Sequence, residues 1–137
     1  MRILIMGLPG SGKTTLANKL APKLDAANFD ADEIRRMFND WDFSDPARNR
    51  QAIRMWNLCW MAGYDKISIA NFVCPTPETR KVFNPDFIIW MDTIKSGRFE
   101  DTNKIFVLPR YIILEGWRAW DRLWRPVAIF LFWSKRL

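Results

Sequence analysis

The chain has 137 residues, a formal net charge of +6 and no histidine. Its length suits one domain, expected over residues 1–137, and the missing histidine excludes histidine-based acid–base catalysis and most zinc sites. Two cysteines cannot build a disulfide framework. The apolar runs at residues 3–6 and 127–133 are too short for a signal peptide or a membrane span. We therefore expect a cytoplasmic protein with no membrane partner.

The first predicted unit is a strand at residues 2–6, a glycine-rich loop and a helix at about residues 13–24. The loop has the phosphate-binding pattern Gly-x-x-x-x-Gly-Lys-Ser/Thr, in which backbone N–H groups and a helix N-terminus surround phosphates. Lys13 would reach the β- and γ-phosphates of ATP, and the hydroxyl of Thr14 would hold Mg²⁺. The residues predicted to bind the nucleotide are Gly7, Leu8, Pro9, Gly10, Ser11, Gly12, Lys13, Thr14 and Thr15.

Strands and helices alternate along the next part of the chain. The predicted strands are residues 27–29, 67–72 and 87–91, and the predicted helices are about residues 32–38, 46–63 and 76–82. This order predicts an α/β protein with a doubly wound parallel sheet, in which ligands bind beyond the carboxyl ends of the strands. That rule places the phosphate loop, Asp30, Asp32, Cys74 and Asp92 along one edge of the sheet.

Residues 110–137 form an atypical tail in which tryptophans alternate with arginines. We expect a last strand at residues 111–114 and a helix whose tryptophans cover the sheet. Two alternatives stay open for this tail. The first is that the tail is a membrane-surface or partner-binding patch. The second is that its sequence has been disturbed by truncation or frame change.

Asp30 and Asp32 are the best-placed carboxylates for phosphoryl transfer, which needs an acidic side chain near the acceptor hydroxyl. If the second strand continues through Asp32, both side chains point to the same side of it. One would then hold a metal-bound water, and the other would orient or deprotonate the acceptor. The alternative is that Asp32 only caps the following helix.

Arg35 and Arg48 are predicted near the starts of successive helices, where both can face the same cleft. Arginine forms bidentate contacts with phosphate-like or sulfate-like groups, and Phe43 between them can stack on a nucleobase. Exposed helical arginines are usually part of the solvated surface, so the argument depends on the three residues together. Together they predict an anionic nucleotide as the acceptor.

Over residues 1 to about 93 the chain resembles the adenylyl-sulfate kinase family. The motifs that carry this resemblance are the phosphate loop, Asp30-Ala31-Asp32 with Arg35, Phe43-Ser44-Asp45-Pro46-Ala47-Arg48 and Phe72-Val73-Cys74-Pro75. The resemblance implies a three-layer P-loop nucleotide kinase fold with a central parallel sheet. It also implies transfer of the γ-phosphate of ATP to the 3′-hydroxyl of adenosine 5′-phosphosulfate (APS), with Mg²⁺.

The resemblance also implies a role for each matching residue. The implied catalytic residues are Lys13, Asp30 and Asp32, the implied metal ligands are Thr14 and Asp30, and the implied acceptor-binding residues are Arg35, Phe43, Arg48 and Gln51. Gln51 stands where the family usually has asparagine, and Cys74 where it usually has serine. Residues 92–109 replace the family's basic lid with a short lid-like segment, in which Lys95, Arg98 and Lys104 are candidates to close over phosphates and Gly97 is a candidate hinge.

We therefore predict an adenylyl-sulfate kinase-like enzyme that uses ATP and Mg²⁺ and acts on a small anionic nucleotide. A kinase for another small metabolite or nucleotide is one alternative, and an ATP-binding protein without transfer activity is another. A polynucleotide substrate should leave a longer basic stripe than this chain has, so no nucleic-acid partner is expected. A homodimer is the assembly left open.

Overall fold

The computed structural model describes residues 1–109 and residues 113–114. In this part of the chain the elements follow one another as β1 (Arg2–Met6), α1 (Lys13–Leu24), β2 (Ala27–Asp30), α2 (Ala31–Met37), α3 (Asp45–Met61), β3 (Ser68–Asn71), α4 (Pro77–Phe83), β4 (Phe87–Met91), α5 (Glu100–Ile105) and β5 (Ile113–Leu114). Strands and helices alternate as the sequence predicts.

The described strands form one parallel sheet in the order β2-β3-β1-β4-β5. Ile5 in the central strand β1 is paired with Asn71 of β3 on one side and with Ile89 of β4 on the other. The strands that follow β1 in sequence therefore lie first on one side of it and then on the other. In sheets of this kind the crevice at the carboxyl end of the central strand binds ligands. The prediction of a doubly wound parallel sheet is confirmed.

The side chains of β1 alternate between two cores on opposite faces of the sheet. Ile3 and Ile5 pack with residues of α1, whereas Leu4 and Met6 pack with residues of α3 and with Phe83 of α4. All four of these β1 side chains are fully buried. Helices cover both faces of the parallel sheet, which explains why its strands are apolar runs rather than alternating ones. The three predicted layers are present.

The junction of β2 and α2 differs from both sequence-based interpretations. Asp30 has an extended backbone and ends β2, and its carboxylate accepts hydrogen bonds from the backbone N–H groups of Asp32, at 2.8 Å, and Glu33, at 3.4 Å. Asp30 is therefore the N-cap of α2, and Asp32 lies in the first helical turn. The condition for an extended pair, a strand that continues through Asp32, is not met, and the alternative in which Asp32 caps the helix is wrong.

The segment from residue 92 to residue 109 contains α5, a helix that the sequence does not predict. The strand predicted at residues 111–114 is present as Ile113–Leu114, paired with Trp90 and Met91 of β4. The predicted helix of the tryptophan-rich tail lies outside the described residues. Within the described residues, every helix is too short or too polar to cross a membrane.

Candidate active site

A cavity of about 530 Å³ lies at the carboxyl edge of the sheet. One wall comes from the phosphate loop and the start of α1, including Lys13 and Thr14, and the opposite wall includes Arg35 and Arg48. The first turn of α5 adds a third side. This volume is within the range that binds a small ligand. The sheet edge therefore brings the predicted nucleotide-binding and acceptor-binding residues into one space.

The phosphate loop approaches the end of β4 closely at Gly7. A Cβ atom at this position would lie 2.7 Å from the Ser11 Oγ and 2.8 Å from the Met91 carbonyl oxygen, and the Gly7 φ of +152° favours glycine. Six of the nine residues predicted to bind the nucleotide line the cavity, namely Pro9, Gly10, Gly12, Lys13, Thr14 and Thr15. The other three, Gly7, Leu8 and Ser11, form the loop behind them.

Lys13 is held in place inside the phosphate loop. Its Nζ donates a hydrogen bond of 2.9 Å to the carbonyl oxygen of Leu8. Burial lowers the pKa of Lys13 to about 8, and the opposing charges of Asp32 and Asp30 offset part of that effect. A phosphate group would supply the anionic partner that this ammonium group needs.

The carboxylate of Asp30 joins the start of α1 to the start of α2. While Asp30 Oδ1 caps α2, Asp30 Oδ2 accepts a hydrogen bond of 2.7 Å from the Thr14 hydroxyl. The same hydroxyl lies 3.2 Å from Oδ1 of Asn71 at the end of β3. Asn71 lines the cavity and was missed, because the sequence places it inside the strand predicted at residues 67–72, whereas β3 ends at this residue.

This oxygen set fits the coordination chemistry of Mg²⁺. Thr14 contributes a hydroxyl oxygen and Asp30 a carboxylate oxygen, which are the hard ligands that Mg²⁺ prefers. The described residues contain no group of three or more His, Cys, Asp or Glu side chains that could hold a metal. Kinase magnesium sites typically use one or two protein ligands and complete their shell with water and substrate phosphates.

Phe43 lies between the two arginines predicted to bind the acceptor. The guanidinium carbon of Arg35 is 4.5 Å from the centre of the ring, and that of Arg48 is 5.8 Å from it. Arg48 Nε also donates a 2.7 Å hydrogen bond to the carbonyl oxygen of Phe43. Both arginines are buried, whereas Phe43 is 47% exposed and lines the cavity. The predicted acceptor set is therefore assembled.

The loop that carries Phe43 is fixed by a cluster of charged residues around Asp40. Arg35 Nη1 donates to the carbonyl oxygens of Asp40 and Asp42, at 2.9 and 2.8 Å. The Asp40 carboxylate accepts two hydrogen bonds from Arg50, at 3.0 and 3.1 Å, and one from Arg54, at 2.6 Å. These hydrogen bonds hold the pKa of Asp40 well below its usual range. The sequence prediction missed this cluster.

Gln51 and Cys74 lie at the back of the cavity. The buried Gln51 side chain donates a hydrogen bond of 3.1 Å from Nε2 to the carbonyl oxygen of Ala31, and its Oε1 accepts one of 3.2 Å from Arg54 Nη1. Both ends of its amide therefore have protein partners. Burial raises the pKa of the Cys74 thiol above its usual range, which leaves it protonated and unreactive at neutral pH.

The residue 92–109 segment packs against the phosphate loop. A Cβ atom at Gly97 would lie 3.1 Å from Pro9 Cδ. The Thr93 hydroxyl donates a hydrogen bond of 2.7 Å to the carbonyl oxygen of Ser11. Of the three basic candidates in this segment, Arg98 lines the cavity. Lys95 instead pairs with Asp92 at 3.6 Å, and Lys104 with Glu100 at 3.8 Å.

Two α5 residues that the sequence did not single out reach the wall formed by Arg35, Phe43 and Arg48, the predicted acceptor wall. Arg48 Nη2 lies 3.3 Å from Asp101 Oδ2 and 3.3 Å from Thr102 Oγ1. Both α5 side chains line the cavity, next to Phe99 and Arg98. Asp92, which was expected along the same edge, pairs with Lys95 and does not line it.

A sequence model of the adenylylsulphate kinase family matches residues 1–88. No match was found among curated protein sequences.

Solved structures show the fold. The structure of Mycobacterium tuberculosis APS kinase CysC in complex with AMPPNP and APS is 20% identical, with a TM-score of 0.77, and the match covers 95% of this chain and 96% of that one. A gluconokinase from Sinorhizobium meliloti 1021 is 14% identical, with a TM-score of 0.68 and coverages of 97% and 96%. A hexameric APS kinase from Thiobacillus denitrificans is 20% identical, with a TM-score of 0.71, over 99% of this chain and 29% of that one. The chain has the P-loop kinase fold.

We expect the affinity for MgATP to fall as pH rises through about 8, because Lys13 loses its proton in the unliganded protein. Titration calorimetry should show a weakening of about tenfold between about pH 7.5 and about pH 9. Lys13→Arg keeps its charge over this range and is the matched control. Equal slopes for the two proteins would contradict the assignment.

Asp40→Asn should lower the free energy of unfolding at neutral pH, because Arg54 loses its anionic partner and Arg50 keeps only the longer contact with Asp42, at 3.9 Å. The depressed pKa of Asp40 contributes stability above the unfolded pKa of about 3.9, and this contribution is lost as pH falls further. Urea unfolding should therefore show the difference from wild type shrinking below about pH 4. Asp65→Asn, at an exposed turn residue, is the charge control. An equal loss in that variant would contradict a specific role for Asp40.

Proposed function

The chain belongs to the adenylylsulphate kinase family, and from that premise we propose that it transfers the γ-phosphate of ATP to the 3′-hydroxyl of APS. The observation that carries the proposal is the single cavity lined by Lys13 and Thr14 on one side and by Arg35, Phe43 and Arg48 on the other. A kinase needs this arrangement because the donor and acceptor must meet in line.

The acceptor wall supports an anionic nucleotide as the substrate. Arg35 Nη1 and Arg48 Nε are engaged by backbone carbonyls, which fixes both guanidinium groups before a ligand arrives. Fixed arginines bind phosphate or sulfate groups with little loss of side-chain entropy. The exposed ring of Phe43 offers a stacking surface for a base. Gln51 would support this wall from behind, through Ala31.

We assign the donor side to the phosphate loop. Its backbone N–H groups and the start of α1 would bind the phosphates of ATP, with Lys13 as the cationic partner. Thr14 and Asp30 would hold Mg²⁺, which neutralises developing phosphate charge when bound. The residue 92–109 segment would act as a lid over this side, within a single kinase domain.

We assign the proton transfer to Asp32. Its side chain is exposed in the first turn of α2 and lines the cavity, whereas the carboxylate of Asp30 is occupied by Thr14 and the helix cap. The acceptor oxygen forms a bond to the γ-phosphorus as the bond from that phosphorus to the bridging oxygen of ADP breaks. The hydroxyl proton passes to the Asp32 carboxylate. The products are ADP and the 3′-phosphorylated acceptor.

The proposal predicts ADP release that depends on both MgATP and APS. A coupled assay should compare APS with other small hydroxyl acceptors and with a 5′-hydroxyl oligonucleotide. Activity on a different small acceptor alone would instead support a kinase for another metabolite. If ATP binds and no acceptor releases ADP, the chain is an ATP-binding protein without transfer activity.

Asp32→Asn should lower kcat by about 100-fold or more, the range expected for loss of a general base, with ATP affinity within about twofold of wild type. The matched control is Glu33→Gln, which removes the neighbouring acidic charge from the same turn of α2. Glu33 does not line the cavity. Steady-state kinetics and calorimetry measure both quantities. Equal loss of kcat in both variants, or parallel loss of ATP binding in Asp32→Asn, would contradict the role assigned to Asp32.

A further inference from the structure

Arg48 has two kinds of partner in the structure. Its Nε is held by the carbonyl oxygen of Phe43, and its Nη2 is shared between Asp101 and Thr102 in the first turn of α5. The guanidinium group is buried, because its side chain is 8% exposed, whereas the Asp101 side chain is 68% exposed. The buried cation thus takes its anionic partner from a helix at the surface.

These exposures determine which partner can leave. A buried guanidinium group without an anionic partner is costly, whereas an exposed carboxylate that moves into water regains its hydration. An acceptor that places an anionic group on Arg48 replaces the charge that Asp101 supplies. The two anions cannot both lie close to Arg48 without repelling each other.

We propose that Asp101 competes with the anionic group of the acceptor for Arg48, so that acceptor binding releases the first turn of α5. This inference rests on the proposed function, since it concerns the acceptor side of the same cavity. Asp101 then weakens the binding of every anionic acceptor and does not affect a neutral one. It determines affinity and selectivity rather than the chemistry of transfer.

Contacts elsewhere in the segment make this release local. The side chain of Asn103 joins α5 to Gly97, with its Oδ1 2.9 Å from the Gly97 N–H and its Nδ2 2.9 Å from the Gly97 carbonyl oxygen. Gly97 packs on Pro9, and the Val107 N–H donates a hydrogen bond of 2.8 Å to the carbonyl oxygen of Pro75. None of these contacts uses Asp101, so the segment keeps its position over the phosphate loop when Asp101 moves away.

The test compares Asp101→Asn with Glu100→Gln. Both variants remove one acidic charge from the first turn of α5, but Glu100 pairs with Lys104 and does not line the cavity. Calorimetry with APS should give a two- to fivefold lower Kd for Asp101→Asn, about the fold-change expected when an ion pair made by a solvent-exposed carboxylate is removed. Binding of adenosine, which has no anionic group, should not change. An unchanged or higher Kd for APS, or an equal decrease in Glu100→Gln, would overturn the inference.

Hydrogen exchange of the unliganded proteins separates this inference from the proposed function. The amides of α5 should exchange faster in Asp101→Asn than in wild type or Glu100→Gln, because the contact with Arg48 is weakened. If APS binds none of the three proteins, the proposed function fails and α5 exchange alone decides whether Asp101 holds Arg48. Equal exchange in all three proteins would overturn the Asp101 contact whether or not APS binds.

Discussion

The hydrogen bonds of the Asp30 carboxylate hold the phosphate-loop side of the cavity and the side that carries Arg35 together. One oxygen caps α2, the helix that carries Arg35, and the other accepts from Thr14 at the start of α1. Because Asp30 is also the last residue of β2, the sheet fixes the position of both oxygens. Any movement of α2 relative to the phosphate loop must break one of these bonds. The distance between the start of α1 and the start of α2 is thereby constrained by one side chain.

The acceptor wall illustrates how buried charge can be prepared for a ligand. Arg35 and Arg48 each donate to backbone carbonyls of the loop that carries Phe43, and Asp40 joins this loop to Arg50 and Arg54 of α3. Removing an anionic partner from a buried arginine of such a network costs more than the individual pair is worth. The wall is therefore rigid before an acceptor binds, and rigidity raises affinity by reducing the entropy lost on binding.

The sequence was sufficient for features with local signals. The phosphate loop, the apolar strands of the sheet and Arg35 and Arg48 with Phe43 follow from residue spacing and strand order. The junction at Asp30 could not be predicted from the sequence. Whether Ala31 and Asp32 continue the strand or begin the helix depends on which carboxylate accepts from the first N–H groups of α2. Helix α5 was missed because its six residues are too few to show a helical period. Asp101 and Arg48 are 53 residues apart, so no local pattern records their contact.

The residue 92–109 segment contributes both positive and negative charge to the cavity. Lys95 and Lys104 are paired with acidic neighbours inside the segment, which leaves Arg98 as its basic residue facing the cavity among those that the structure describes. Asp101 brings a negative charge to the same wall. A segment of this kind adds little net attraction for phosphates, so the proposed function assigns phosphate affinity to the phosphate loop, Arg35 and Arg48. If the proposed acceptor binds at Arg48, the segment is better suited to respond to it than to hold it, because the exposed Asp101 carboxylate is a partner of Arg48 that an incoming anion can replace.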